Sequence, residues 1–450
     1  MNQIEKARWH IGRWFWRAGF IVLLVCLVMF VVSVVQNGRT IEKLSSVETL
    51  NITTEPGMLL NSLPVDWQAW LYNTLGEDRL KPFEIVTEVD CLNGTFSDKE
   101  IPLLSELKDL RELHLWCTPL NDRQLKHLTG LVHLEALSIW GPEITNAGLV
   151  HLKPLRNLEN LTLDSPQITD AGLIHLKELR NLKSLNLSPT AMNDAGLVHL
   201  KRLVNLEELS LEGAQVTDAG LAHLKGLTKL NTLLLTHTNI SDTGLVHLSG
   251  LSSLKVLWLE RTQISDAGLI HFRNLTKLES LDLTETHVKD KGLKYLAGLV
   301  NLRRLELDKT QLNDNGLVHL KDLRNLQSLF LTNTQVSDAG LIHLKDLTKL
   351  KWLSLDKNRI EGSGLIHLKG LTSLDWLDLT FTQVDNVGLS HLKNLEKLEV
   401  LKFFGTRVTD AGLVHLKALK KLSLVEVPKP TVTEAAITQL QSSLPDCTIR

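Results

Sequence analysis

Twelve histidines stand at one position of a repeating unit: His127, His151, His175, His199, His223, His247, His271, His319, His343, His367, His391 and His415, with Tyr295 filling the one gap. Imidazole is a common zinc ligand, so metal binding is the first chemistry to test. A zinc site needs three or four ligands converging at about 2.0 to 2.3 Å, whereas this column offers one per unit with no accompanying acid or thiol. A structural role is expected, packed between helices or half exposed, with no metal or other cofactor. A second column, Asp170, Asp194, Asp218, Asp242, Asp266, Asp290, Asp314, Asp338 and Asp410, has residues suited to paired acid-base work or a calcium track. Each stands just before an apolar helical stretch, where a carboxylate accepts backbone N–H bonds, so helix capping explains the spacing. Thr238, Thr262, Thr286, Thr310 and Thr334 form a third column, expected to bond neighbouring turns. No glycine-rich phosphate loop or nucleophile elbow is present. An enzyme is the least expected reading.

These columns follow from a repeat. The glycines Gly148, Gly172, Gly196, Gly220, Gly244, Gly268, Gly292, Gly316, Gly340, Gly364, Gly388 and Gly412 recur every 24 residues without an insertion. The frame continues upstream through Gln124 and Glu100 and downstream to Ala436, so the outer units are degenerate, as end caps are. In Asn205 to Thr228, Leu209 and Leu211 alternate with polar residues as a short strand, and Val216, Leu221, Leu224 and Leu227 follow at helical spacing. A strand, a turn and a helix per unit are predicted. One unit cannot close a core, so neighbours must stack into an α/β solenoid, with a curved parallel sheet on the concave side and helices on the convex side.

Consensus positions are consumed by folding, which leaves recognition to the variable strand positions. Between the two strand leucines stand, among others, Ser210, Leu234, Trp258, Asp282, Glu306, Phe330, Ser354, Asp378 and Lys402; nearby come Trp352, Trp376 and Phe404. Large aromatics on a solvated face have no folding role and are enriched at binding hot spots. Trp258, Phe330, Trp352, Trp376 and Phe404 are the candidate ligand-binding residues; the competing reading has them stack together to fill the concavity.

The chain has 450 residues, 49 basic and 51 acidic, and a formal net charge of −2, which gives no footprint for sustained contact with nucleic acid. No small-molecule substrate is evident. The uncharged run Ala18 to Val35 is long enough to span a bilayer, and Lys6, Arg8, Arg13 and Arg17, interleaved with Trp9, Trp14 and Trp16, precede it. That pattern predicts a single-pass anchor with a cytoplasmic N-terminus and extracytoplasmic repeats; a cleaved signal peptide is the rival. The expected organisation is 1–17 cytoplasmic, 18–35 membrane anchor, 36–63 tether, 64–88 N-terminal cap, 89–430 repeats and 431–450 C-terminal cap. Of the four cysteines, Cys26 lies in the anchor, and Cys91 and Cys117 fall in neighbouring repeats. Buried free thiols are expected over a bond. Sequons such as Asn160-Leu161-Thr162 arise from the consensus and argue little for glycosylation.

The Leu-x-x-Leu-x-Leu pattern with its Asp-Ala-Gly-Leu phrase resembles the leucine-rich repeat superfamily, in the subclass whose phrase reads Ile-Thr-Asp-x-Gly-Leu, from about Val89 onward. That subclass includes the repeat regions of F-box proteins, but no F-box precedes these repeats, and where its cysteine-containing members have Cys this chain mostly has Thr. The uniform unit, the short anchor and the ending Leu444-Pro445-Asp446-Cys447-Thr448-Ile449 look more like bacterial membrane-anchored leucine-rich repeat proteins. The resemblance implies protein binding and carries over no catalytic motif. A membrane-anchored binder of another protein is therefore expected, with a self-associating component of the cell envelope as the alternative.

Overall fold

The structure, a computed structural model, describes residues 39–41, 43, 50–56, 84–91, 98–116, 120–429 and 431–450. It divides into two compact units, Met1–Leu163 and Asp164–Arg450. The expected cytoplasmic segment and anchor, and most of the expected tether and N-terminal cap, lie outside the described residues. Among the described residues no helix is long and apolar enough to cross a membrane.

In the first unit, β1 (Leu50–Pro56) pairs antiparallel with β2 (Glu84–Cys91), with an irregularity between Thr53 and Thr54. The next strands, β3 (Glu112–Leu115) and β4 (Ala136–Trp140), stack parallel to β2 in chain order, and β5 (Asn160–Asp164) follows them in the sheet. Part of the expected tether is thus a strand. A parallel stack leaves the edge of its first strand unpaired, and β1, rich in β-branched residues, satisfies it. Cys91 is disulfide-bonded, which corrects the expected free thiol there; Cys447 is free and buried.

The second unit carries three-residue strands from Ser184–Asn186 to Leu424–Glu426, closed by Thr448–Ile449. Pairing is parallel and shifts by one repeat per strand, as in Leu281↔Leu305 and Leu305↔Leu329. The inward leucines are fully buried. The expected helices are shorter, mostly single turns of three to six residues such as Asp218–Leu221 and Gly244–Leu248. The reason lies in the leucine spacing. Leu221, Leu224, Leu227 and Leu230 recur every three residues, and each amide bonds the carbonyl of the previous leucine at 2.9–3.0 Å. That is the tighter 3₁₀ winding, which brings residues three apart onto one face. Among the described residues a longer helix comes only at the end, Glu434–Ser443, where Thr433 accepts from the Ala436 amide.

The aspartate column does not cap its own helix. Thr217, one residue earlier, holds the cap position, and Asp218 reaches into the next repeat. Its Oδ1 accepts from the Ser241 amide at 2.7 Å and its Oδ2 from the Ser241 hydroxyl at 2.5 Å and from the Thr243 hydroxyl. Asp242 and Asp314 make the same bonds to Ser265 and Ser337. Burial pushes the Asp218 carboxyl up, but the hydroxyls of Ser241 and Thr243 and the amides of Ser241 and Gly244 outweigh it and hold the group below its ordinary value. The repeat glycine follows from this latch. A Cβ on Gly244 would lie 2.4 Å from Asp218 Oδ1, and one on Gly268 2.4 Å from Asp242 Oδ1. The threonine column closes its own turn: Thr238, Thr262 and Thr286 each donate 2.6 Å bonds to the carbonyl three residues back, and Thr334 also donates to Asn358 Oδ1 in the next repeat at 2.7 Å.

Candidate functional site

Inward leucines alternate along each strand with residues on the opposite face of the sheet, so Arg304, Glu306 and Asp308 share one face while Leu305 and Leu307 line the core. This open face of the second unit holds all five aromatic candidates, but not as one patch. Trp352 and Trp376 are partners on adjacent strands, and Trp352 is 43% exposed. The Trp376 ring packs at 6.4 Å against Phe330, two strands away, tilted by 51°. Phe404, 41% exposed, meets Phe381 edge-on at 5.6 Å instead. The sequence reading passed over Phe381, which sits in a left-handed backbone position at φ 54°. Trp258 is half-buried, donates from its indole nitrogen to Ser280 Oγ at 3.2 Å, and is separated from Phe330 by two intervening strands.

Those intervening strands carry carboxylates. From Val256 to Thr380 the open face bears Glu260, Asp282, Glu306, Asp308, Asp356 and Asp378, with Arg304 among them; Glu260 is also approached from the rim by Arg261 at 3.7 Å and His237 at 3.9 Å. Asp282 is 7% exposed and accepts from the Thr284 amide at 2.8 Å. Burial pushes Asp308 up to about 6, reinforced by the charges of Glu306 and Asp356 and opposed by the bond from the Thr332 amide. Glu306 and Asp378 are also raised, first by burial; Asp282 and Glu260 add to the first and Asp356 to the second. Arg304 bonds Glu306 at 2.6 Å and lies 4.9 Å from the Phe330 ring centre, and the Lys402 ammonium lies 5.9 Å from that of Trp376. The aromatic faces thus already attract cations.

Glu285 is held at about 2, chiefly by hydrogen bonds from Arg261 and Lys309. At the start of the same strands, a cavity of about 410 Å³ is lined by Lys255, Lys277, Glu279, Arg303, Asn325 and Lys349 among others. Glu279 there pairs with Lys255 and Arg303 at 3.7 and 3.4 Å.

All twelve ladder histidines are half-buried, and burial, aided by Lys126, lowers the pKa of His127. Among the described residues, the group whose ligand atoms converge enough for a metal is Glu88, Glu112 and His114 in the first unit, not the histidine column. No pattern in the sequence marks this group, because its residues stand at strand positions that vary from repeat to repeat. The sequence reading likewise passed over Glu260, Asp308 and Asp356, which become visible as a set only when every second repeat is aligned.

A 24-residue unit of one short strand and 3₁₀ turns, stacked on a leucine core, matches a known family. Leucine-rich repeat models match residues 324–384 and 274–297. These units are leucine-rich repeats. An internalin of Listeria monocytogenes shares 25% identity and a TM-score of 0.59, over 73% of this chain and 88% of its own. A leucine-rich repeat protein of Leptospira interrogans shares the fold at 21% identity and a TM-score of 0.60, over 79% of this chain and 92% of its own. The functional domain of InlJ from Listeria monocytogenes, which includes a cysteine ladder, does so at 17% identity and a TM-score of 0.51, over 76% and 73%. No match was found among curated protein sequences. Leucine-rich repeat proteins are commonly protein-binding or receptor-like modules.

Proposed function

We propose that this chain is a membrane-anchored, extracytoplasmic leucine-rich repeat protein of the bacterial anchored type, and that it binds another protein on the open sheet face of its second unit. The observation that carries the reading is Trp352, a large ring left 43% exposed beside the Trp376–Phe330 pair, on a face whose folding needs are met by the buried leucines behind it. The bonded Cys91 fits an oxidising compartment outside the cytoplasm. So does the orientation that the basic, Trp-rich flank before Ala18 predicts. The acidic open face repels a phosphate backbone, which keeps nucleic acid out of the reading.

The test is capture from the native membrane by the full chain, compared with Trp352→Ser/Trp376→Ser. Loss of a specific partner with the fold intact supports the reading, and equal capture by both overturns it. Protease added to cells with opened outer barriers should shave the repeats while a tag before Arg8 stays protected; the reverse pattern would discard the localisation. One observation favours self-association instead: Val246, Ile342 and Val414 share a turn-side position and are 47%, 40% and 53% exposed. A mass that rises with concentration, and falls when these residues are changed to Ser, would favour that alternative.

A further inference from the structure

The position two residues beyond the last residue of each strand alternates from Glu212 to Thr380: Glu212, Thr236, Glu260, Thr284, Asp308, Thr332, Asp356, Thr380. Carboxylates therefore recur on every second strand. With strands about 4.8 Å apart, the acids Glu212, Glu260, Asp308 and Asp356 repeat at roughly 9.6 Å. All four are half-buried. Between them, Thr236, itself 7% exposed, and Thr284 have hydroxyls without a hydrogen-bond partner. The next column adds Asp282, Glu306 and Asp378 beside the rings of Phe330 and Trp376.

A ligand that suits this face must bring cations at the same interval. An extended polyproline-type segment rises about 3.1 Å per residue with three residues per turn, so every third side chain falls on one side at a spacing of about 9.3 Å. That agrees with the acid repeat to within a few tenths of an ångström, whereas every second residue of a β-strand recurs at about 6.6 Å. From this match we infer that the open face of the second unit takes an extended protein segment bearing Lys or Arg at every third residue, laid across the strands. Its cations reach the acid ladder, and its apolar groups or further cations lie on Phe330, Trp376 and Trp352. The inference rests on the open face being the binding face and adds the chemistry of the partner. Arg304 over Phe330 and Lys402 over Trp376 are intramolecular examples of the contacts it requires.

The test uses the full chain and fluorescent peptides with four arginines each: four Arg-Pro-Pro repeats, four Arg-Pro repeats, and a peptide of the first composition with its arginines clustered. The three-residue spacing is expected to bind at least tenfold more tightly than either control, with affinity falling as salt is raised. Asp308→Asn/Asp356→Asn keeps both side-chain acceptors used in the fold and should lose at least tenfold for that peptide, as should Glu260→Gln in smaller measure. The exposed turn-side Asp322→Asn should change nothing. Equal binding of all three peptides overturns the spacing. An absence of cationic-peptide binding, or an unchanged Asp308→Asn/Asp356→Asn variant that melts normally, overturns the inference. If native-membrane capture still depends on Trp352 and Trp376 while no basic peptide binds, the proposed function stands and this inference alone falls.

Discussion

On the turn side of the second unit the same polar groups meet the same partners layer after layer, while on the open face few layers repeat their neighbour. Asp218, Asp242 and Asp314 each spend both carboxylate oxygens on the amide and hydroxyl at the start of the next turn. Asp308, by contrast, accepts from the Thr332 backbone and faces the charges of Glu306 and Asp356. The same residue type is thus held below its ordinary pKa at Asp218 and pushed above it at Asp308. Repetition marks what the fold uses, and uncompensated charge marks what it leaves for a partner.

The largest expected effect lies behind both faces. Leu353 is completely buried, so Leu353→Ala opens a cavity and should cost about 2–5 kcal/mol, read as a lowered denaturant midpoint. A cost near zero would mean that the repeats tolerate voids and that the division into core and open face is wrong.

The turn-side latch comes next. Asp218→Ala strands the Ser241 amide and hydroxyl and the Thr243 hydroxyl, and should cost roughly 2–3 kcal/mol. Because the folded carboxyl of Asp218 is depressed, its contribution is full above the unfolded value and lost as pH falls through the folded one. An Asp218→Ala defect that persists undiminished in strong acid would show that the latch is packing, not charge. For Trp352→Ser/Trp376→Ser the expectation is reversed: folding largely intact, and partner binding weaker by about 2 kcal/mol or more per anchor. Trp376 should account for most of any stability loss, since it contacts Phe330 and Lys402. Unfolding of the double variant would make these rings core.

The turn side was legible in the sequence because periodicity reports whatever every layer shares: the glycines, the inward leucines and the aspartates all announced themselves. Their roles were less legible. Asp218 looks like a helix cap until its bonds cross to Ser241, since spacing along one chain segment cannot reveal a partner in the next repeat. The leucines at intervals of three held the signal for 3₁₀ turns that a helical reading smoothed over. On the open face single aromatics were visible, but their grouping was not. Phe404 meets Phe381 of the preceding repeat, whose left-handed backbone angle recurs at one repeat position from Gly213 to Gly405 and is signalled in the sequence only by those two glycines. The acid ladder has a period of two repeats and so disappears from any consensus of one.

The smallest expected effect tests the open face directly. Asp308 has a folded pKa of about 6 against an ordinary 3.8, chiefly from burial, so between these values the folded chain holds a proton that the unfolded chain has lost. Stability contributed through this group therefore rises as pH falls from about 7 toward 4, the opposite of the Asp218 latch. Asp308→Asn keeps an oxygen for the Thr332 amide and removes the buried charge, so at pH 7.5 it should be more stable than the parent by on the order of 1 kcal/mol, allowing for solvent screening. The gap should close as pH falls below about 4, where the carboxyl is protonated in the folded and the unfolded chain alike. A gap independent of pH would show that Asp308 titrates as an ordinary surface carboxylate. A variant less stable than the parent at pH 7.5 would show that the charge is already compensated within the fold. Either result would erase the difference between the two faces, because the open one would then hold no unmet charge for a basic partner to neutralise.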